Sequence, residues 1–148
     1  MENIRRILLA TDFSPASRGA FEQALAFCRR SGAELVLAHV YRMPGTLPAD
    51  MALTPDTAEQ IDAKLAAVAE SRLRALLEEA RRQEIRGRIL LLSGAPGEAI
   101  VEAARKAGAD MLILGTHGRT GVARLLLGSV ASKVIATASC PVLTVRAA

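Results

Sequence analysis

Apolar residues along this chain switch repeatedly between two spacings, and that switching limits the fold more than any single motif does. Short apolar runs occupy 4–10 (IRRILLA), 34–41 (ELVLAHVY), 88–93 (RILLLS), 110–114 (DMLIL) and 141–146 (PVLTVR). Runs of this length suit strands buried on both faces. Between them the apolar residues recur at helical spacing. Phe21, Ala24, Leu25 and Cys28 form one stripe, and Ile61, Leu65, Val68, Leu73, Leu76 and Ala80 a second. Ile100, Val101 and Ala104 form a third, and residues 129–138 are read as a fourth helix. Strands that alternate with helices specify an α/β fold: an open, mainly parallel five-stranded sheet with helices on both faces and right-handed crossovers.

Local signals set the boundaries. Ser14-Pro15 and Thr54-Pro55 each place an N-cap before a proline at the first helical position. Gly32 and Gly108 end helices. Residues 43–54 (MPGTLPADMALT) read as a loop that is long for a compact domain. A chain of 148 residues can bury one substantial core. With aromatics at 3% and no tryptophan, that core must be built from Ala, Val, Leu and Ile. No linker, repeat or low-complexity tract interrupts it, so residues 1–148 read as a single domain.

Several function classes recede on composition. The net charge of +4 is spread out, and its densest group (Arg81, Arg82, Arg86, Arg88) falls where a helix ends, a place that favours cations. One Tyr and three Phe leave little for stacking bases, so no nucleic-acid partner is expected. Cys28 and Cys140 are too few and too distant for a zinc framework. Cys28 reads as core, Cys140 as packing, and His39, inside an apolar strand, as a satisfied core histidine. No spacing suggests a metal cluster, an acid–base pair or a nucleophile with its base. The apolar run after Arg5-Arg6 stops at Thr11-Asp12, too short for a secretory segment, and nothing approaches membrane-span length. A cytoplasmic location without a membrane partner is the expectation.

Sheets of this kind bind ligands beyond the carboxyl ends of their strands, where strand order reverses. The turns on that rim contain Ala10-Thr11-Asp12, Val40-Tyr41-Arg42, Ser93-Gly94 and Gly115-Thr116-His117-Gly118. Gly115 and Gly118 are read as letting the chain fold sharply with its amides exposed. Ser129 is read as opening a helix whose first N–H groups lack partners and attract anions. Its hydroxyl either caps the helix or donates to a phosphate oxygen, and Arg119 adds charge. Tight turning alone stays open as the role of Gly115 and Gly118. Asp12 either contacts ligand or caps the turn before Ser14; His117 either touches a phosphate tail or faces solvent. A Walker A loop is excluded because Gly128-Ser129-Val130 lacks a lysine. The dinucleotide fingerprint is excluded because this is the fourth turn and reads G-x-x-G.

The pattern Gly115-x-x-Gly118, nine residues, then Gly128-Ser129 resembles the nucleotide motif of the ATP-binding universal stress proteins. IRRILLATDFSPAS, the strand end AHV, GAPGEAIVEAA and the closing SCPVLTVR are similar to the same family, in the same order. The resemblance implies a Rossmann-like fold of the adenine-nucleotide α-hydrolase type, a homodimer joined through the last strand, and ATP as ligand. It implies that Ala10 and Thr11 line a base pocket, that Asp12 meets the ribose or lies near adenine, and that Val40 contacts adenine. Gly115, Thr116, His117, Gly118, Arg119, Thr120 and Gly121 would wrap the ribose and phosphates. Gly128, Ser129, Val130 and Ala131 would meet the phosphate tail. Any Mg²⁺ would be held mainly by phosphates and waters, as this hard ion prefers. The family implies a nucleotide-responsive stress or signalling protein with no general catalytic residue. A slow ATPase or other adenine-nucleotide enzyme is the alternative, and a module acting only through its dimer surface a third reading.

Overall fold

The computed structural model describes residues 3–42, 54–117 and 127–147. Along the chain run β1 (Arg6–Ala10), α1 (Pro15–Ser31), β2 (Glu34–Val40), α2 (Pro55–Arg81), β3 (Gly87–Leu92), α3 (Pro96–Ala107), β4 (Met111–Gly115), α4 (Ser129–Thr137) and β5 (Val142–Val145). The sheet order is β3-β2-β1-β4-β5, and every neighbouring pair is parallel. The α/β fold read from the spacing is the fold observed. The 43–54 loop lies outside the described residues except for Thr54.

Capping chemistry explains where the helices start and stop. The Ser14 side chain accepts from the Ser17 N–H and the Thr54 side chain from the Thr57 N–H, each just before a proline. Gly32 ends α1 at φ 71° and Gly108 ends α3 at φ 64°, left-handed positions that suit glycine. Strand ends shift by one or two residues from the sequence reading. β1 starts at Arg6, β2 ends at Val40, β3 runs from Gly87, β4 includes Gly115, and β5 spans only four residues. Backbone pairing with the neighbouring strand sets these limits, and apolar character alone does not report it.

Strand residues alternate between two cores. Ile7, Leu9, Leu35, Leu37, Met111 and Ile113 pack with α1 and α2; Leu8, Ala10, Val36, Ala38, Leu112 and Leu114 pack with α3 and α4. This division follows from the topology. The chain steps from β1 out to β3, then returns past β1 to β4 and β5, and crossovers of one hand then put the two helix pairs on opposite faces. Cys28 is buried as expected, and desolvation pushes its thiol up to about 11. Cys140 packs half-buried against the α3/α4 core.

Helix α2 departs from the expected stripe. Its buried residues are Ala69, Leu73, Leu77 and Ala80; Leu76 is only partly buried, and Val68 is 54% exposed. The second half of α2 lies on the sheet, whereas Leu65 and Val68 overlook a cavity at the sheet edge. Helical spacing alone cannot tell a stripe facing core from one facing a cavity. Replacing Leu73 by Ala should therefore cost about 2–5 kcal/mol in denaturant unfolding, while Val68→Ala should stay within about 0.5 kcal/mol of wild type.

Candidate functional site

The carboxyl ends of β1, β2 and β4 meet where the strand order reverses, and a cavity of about 570 Å³ opens there. That volume lies within the range of about 300–1,000 Å³ usual for small-molecule sites. Ala10, Ala38 and Ala131 stand on its α3/α4 side, where their small side chains leave space that larger residues would fill. On the opposite side Phe13, Leu65, Val68, Ala69 and Arg72 complete the wall.

Each described member of the residue set read from the sequence lines this cavity: Ala10, Thr11, Asp12, Val40, Gly115, Thr116, His117, Gly128, Ser129, Val130 and Ala131. Gly118, Arg119, Thr120 and Gly121 lie outside the described residues. The residues brought together come from four separate segments of the chain, which the topology alone collects.

The turn after β1 is heavily cross-bonded. The Asp12 carboxylate accepts from the Ser14 N–H at 3.0 Å and the Ser14 hydroxyl at 2.5 Å. Asp12 therefore does cap the turn, and it lines the cavity while doing so. Phe13 takes φ 62°, a left-handed conformation that costs a non-glycine residue about 1–3 kcal/mol and that the surroundings must impose. Its N–H donates to Thr11 Oγ1 at 3.1 Å, and that hydroxyl lies 3.1 Å from Ser17 Oγ. Among the described residues the buried polar side chains are Thr11, Ser17 and Thr116, all at this edge of the sheet. Buried hydroxyls persist only with partners, so their gathering here marks a built polar floor.

The glycine segment differs from expectation in three respects. Gly115 is the last residue of β4, paired with Val145, and its φ is not positive. Space is not its reason either, since a Cβ there would meet His117 O at an ordinary 3.5 Å. Gly128, not Ser129, is the N-cap of α4, and Ser129 is the first helical residue. The Gly128 amide is taken: it donates to Thr116 O at 2.7 Å, and a Cβ on Gly128 would lie 3.0 Å from that same oxygen. Gly128 is thus a close-approach glycine that straps the start of α4 to the residues after β4. The anion-attracting end of α4 begins at Ser129.

Two helices start at the cavity without a capping side chain, α4 at Gly128 and α3 at Ala95, with Pro96 and Ile100 of α3 on the cavity wall. Helices α1 and α2 carry the hydroxyl caps of Ser14 and Thr54. Thr116 Oγ1 lies 3.0 Å from His117 Nδ1, which holds the imidazole beside the cavity.

His39 corrects another expectation. It is half-buried and lines the cavity, with Nδ1 2.7 Å from Thr11 O and its ring 4.4 Å from that of Phe13. His39 stands near the carboxyl end of β2, where the cavity opens, so an apolar strand does not guarantee an interior histidine. Tyr41 and Arg42, placed on the rim by the sequence but given no ligand contact, line the cavity as well. Phe13 and the α2 residues were missed; adjacency to Asp12 could have suggested Phe13, whereas Leu65, Val68, Ala69 and Arg72 carry no local signal. Among the described residues no group of His, Cys, Asp and Glu could hold a metal ion, and no helix is long and apolar enough to cross a membrane.

Fold and site together define an open parallel α/β protein with a ligand-sized cavity at its strand-order reversal. The chain belongs to the universal stress protein family, which it matches over residues 3–146. The universal stress protein MJ0531 of Methanocaldococcus jannaschii is 34% identical over 148 residues, spanning 98% of this chain and 84% of its own. The structure of MJ0577 from the same organism superposes with a TM-score of 0.84 at 29% identity, covering 97% of this chain and 96% of that one. A universal stress protein solved in complex with cAMP gives a TM-score of 0.70 at 26% identity, with 99% and 100% coverage.

The two glycines should respond oppositely. Gly115→Ala should leave thermal stability unchanged or slightly raised, because a strand glycine weakens its strand. Gly128→Val should destabilise by about 1–3 kcal/mol through overpacking against Thr116. A calorimetric scan of both variants checks this.

Proposed function

We propose that this chain is an ATP-binding universal stress protein whose nucleotide state alters its surface toward partners. The observation that carries the reading is the convergence, around one cavity, of the described residues that the glycine motif assigns to nucleotide. The cAMP-bound relative supports an adenine nucleotide as the ligand class.

In this reading the base lies against Ala10, Thr11 and Val40, and the Asp12 carboxylate accepts from the ribose hydroxyls. The phosphates run toward the start of α4, where the N–H groups of Ser129, Val130 and Ala131 and the helix dipole favour negative charge. Gly115 to Gly121, including Thr116, His117, Gly118, Arg119 and Thr120, would pass along the ribose and phosphates. Mg²⁺ would ride on the phosphates and water. No catalytic residue is assigned, and the protein acts by binding, in the cytoplasm. A second copy would dock on β5, whose one described neighbour is β4, so that its other edge offers unpaired backbone groups.

Calorimetric titration with ATP should show saturable binding at submillimolar nucleotide, abolished in Gly118→Val. Asp12→Asn keeps an oxygen acceptor for the Ser14 cap; it should weaken ATP about three- to tenfold, the worth of one hydrogen bond, with an unchanged melting temperature. Absence of saturation, with wild type and Gly118→Val alike, contradicts the assignment. Sedimentation at micromolar concentration should give a dimer, and a monomer alone would remove the β5 interface.

A further inference from the structure

The Thr11–Ser14 turn holds a left-handed Phe13, and the bonds within the turn do not by themselves fix it to the rest of the sheet. Strand β2 does that, at two atoms of one residue. The Thr11 N–H donates to Ala38 O at 2.9 Å, an ordinary parallel-strand bond. One residue further on, the His39 imidazole reaches the Thr11 carbonyl at 2.7 Å. A carbonyl oxygen can only accept, so His39 Nδ1 carries the proton in this contact. The same ring packs 4.4 Å from the Phe13 ring, tilted by 41°, and the Arg72 guanidinium covers Phe13 at 5.6 Å from its centroid. His39 therefore restrains the carbonyl before Asp12 and the aromatic ring after it.

We infer that His39 is a positioning residue for the ligand-contact turn: its Nδ1–H···O bond to Thr11 fixes the peptide that aims Asp12 into the cavity. The effect on ligand passes through Asp12 and Thr11, and the inference rests on the reading that this turn meets the nucleotide. Without the imidazole bond the Thr11–Asp12 peptide can rotate, Phe13 can leave its left-handed conformation, and the carboxylate no longer stands where a ribose hydroxyl can use it. Chain chemistry offers a selective rescue. Asparagine carries an N–H the same number of bonds from Cα as the imidazole Nδ1, whereas glutamine places its N–H one bond further out.

The test compares His39→Asn, His39→Gln and His39→Leu by two independent measurements. The first is hydrogen exchange of the Phe13 and Ser14 amides in unliganded protein, and the second is ATP affinity by titration. Exchange at those two amides should accelerate in the Gln and Leu variants and stay near wild type in Asn. ATP affinity should fall about three- to tenfold in Gln and Leu, the range one hydrogen bond supplies, and change less than about twofold in Asn. In an Asp12→Asn background, His39→Gln should cost little more, since its effect runs through the same carboxylate. Unchanged exchange in His39→Gln overturns the inference whether or not ATP binds. Accelerated exchange with unchanged ATP affinity overturns it too, as does a failure of Asn to rescue. If wild type binds no ATP, the nucleotide assignment and the ligand half of this inference fall together, and the exchange arm still decides whether His39 fixes the turn.

Discussion

The reversal of strand order beside β1 is the constraint on which the rest of this molecule depends. β1 has β2 on one side and β4 on the other, and the helices that follow those strands leave toward opposite faces. Among the described residues no connection crosses between them, so the carboxyl ends of three strands open onto a space those residues leave unfilled. Burial fixes this arrangement. The strands are apolar on both faces, and each face needs its own helix pair to exclude water. The cavity is thus a by-product of the same packing that makes the sheet stable.

What turns the gap into a shaped site is a small number of size and hydrogen-bond choices. Alanines at 10, 38 and 131 keep the α3/α4 side hollow. Gly128 lets α4 begin within hydrogen-bond distance of the Thr116 carbonyl, which aims the positive end of that helix at the cavity. A strained turn held by Ser14, Ser17 and His39 presents Asp12 to the same cavity. The helix end and this carboxylate share the space with Arg42 and Arg72 and with the apolar side chains of Val40, Leu65 and Val68.

Much of this was legible in the residues themselves. The two apolar periods specified the α/β class, and Ser14-Pro15, Thr54-Pro55, Gly32 and Gly108 marked helix ends, because capping is local chemistry. The described rim residues were legible because a parallel sheet puts all strand carboxyl ends on one edge. Other features were not. Whether Val68 faces core or cavity depends on where α2 runs out past the sheet, a tertiary fact. The cap at Gly128 and the loss of its amide to Thr116 depend on a contact between two segments whose approach no spacing encodes. His39 was misread for a related reason: strand alternation says which face a residue takes, not how far along the strand the core extends.

The central claim is that an adenine nucleotide lies in this cavity with its phosphates at the start of α4. Backbone amide chemical shifts followed during addition of ATP to the labelled protein test it most directly. The account predicts that the largest changes fall together at Thr11, Asp12, Val40 and Ser129 to Ala131, on one saturation curve. Changes confined to other parts of the surface, with these amides unmoved at saturating nucleotide, would contradict it.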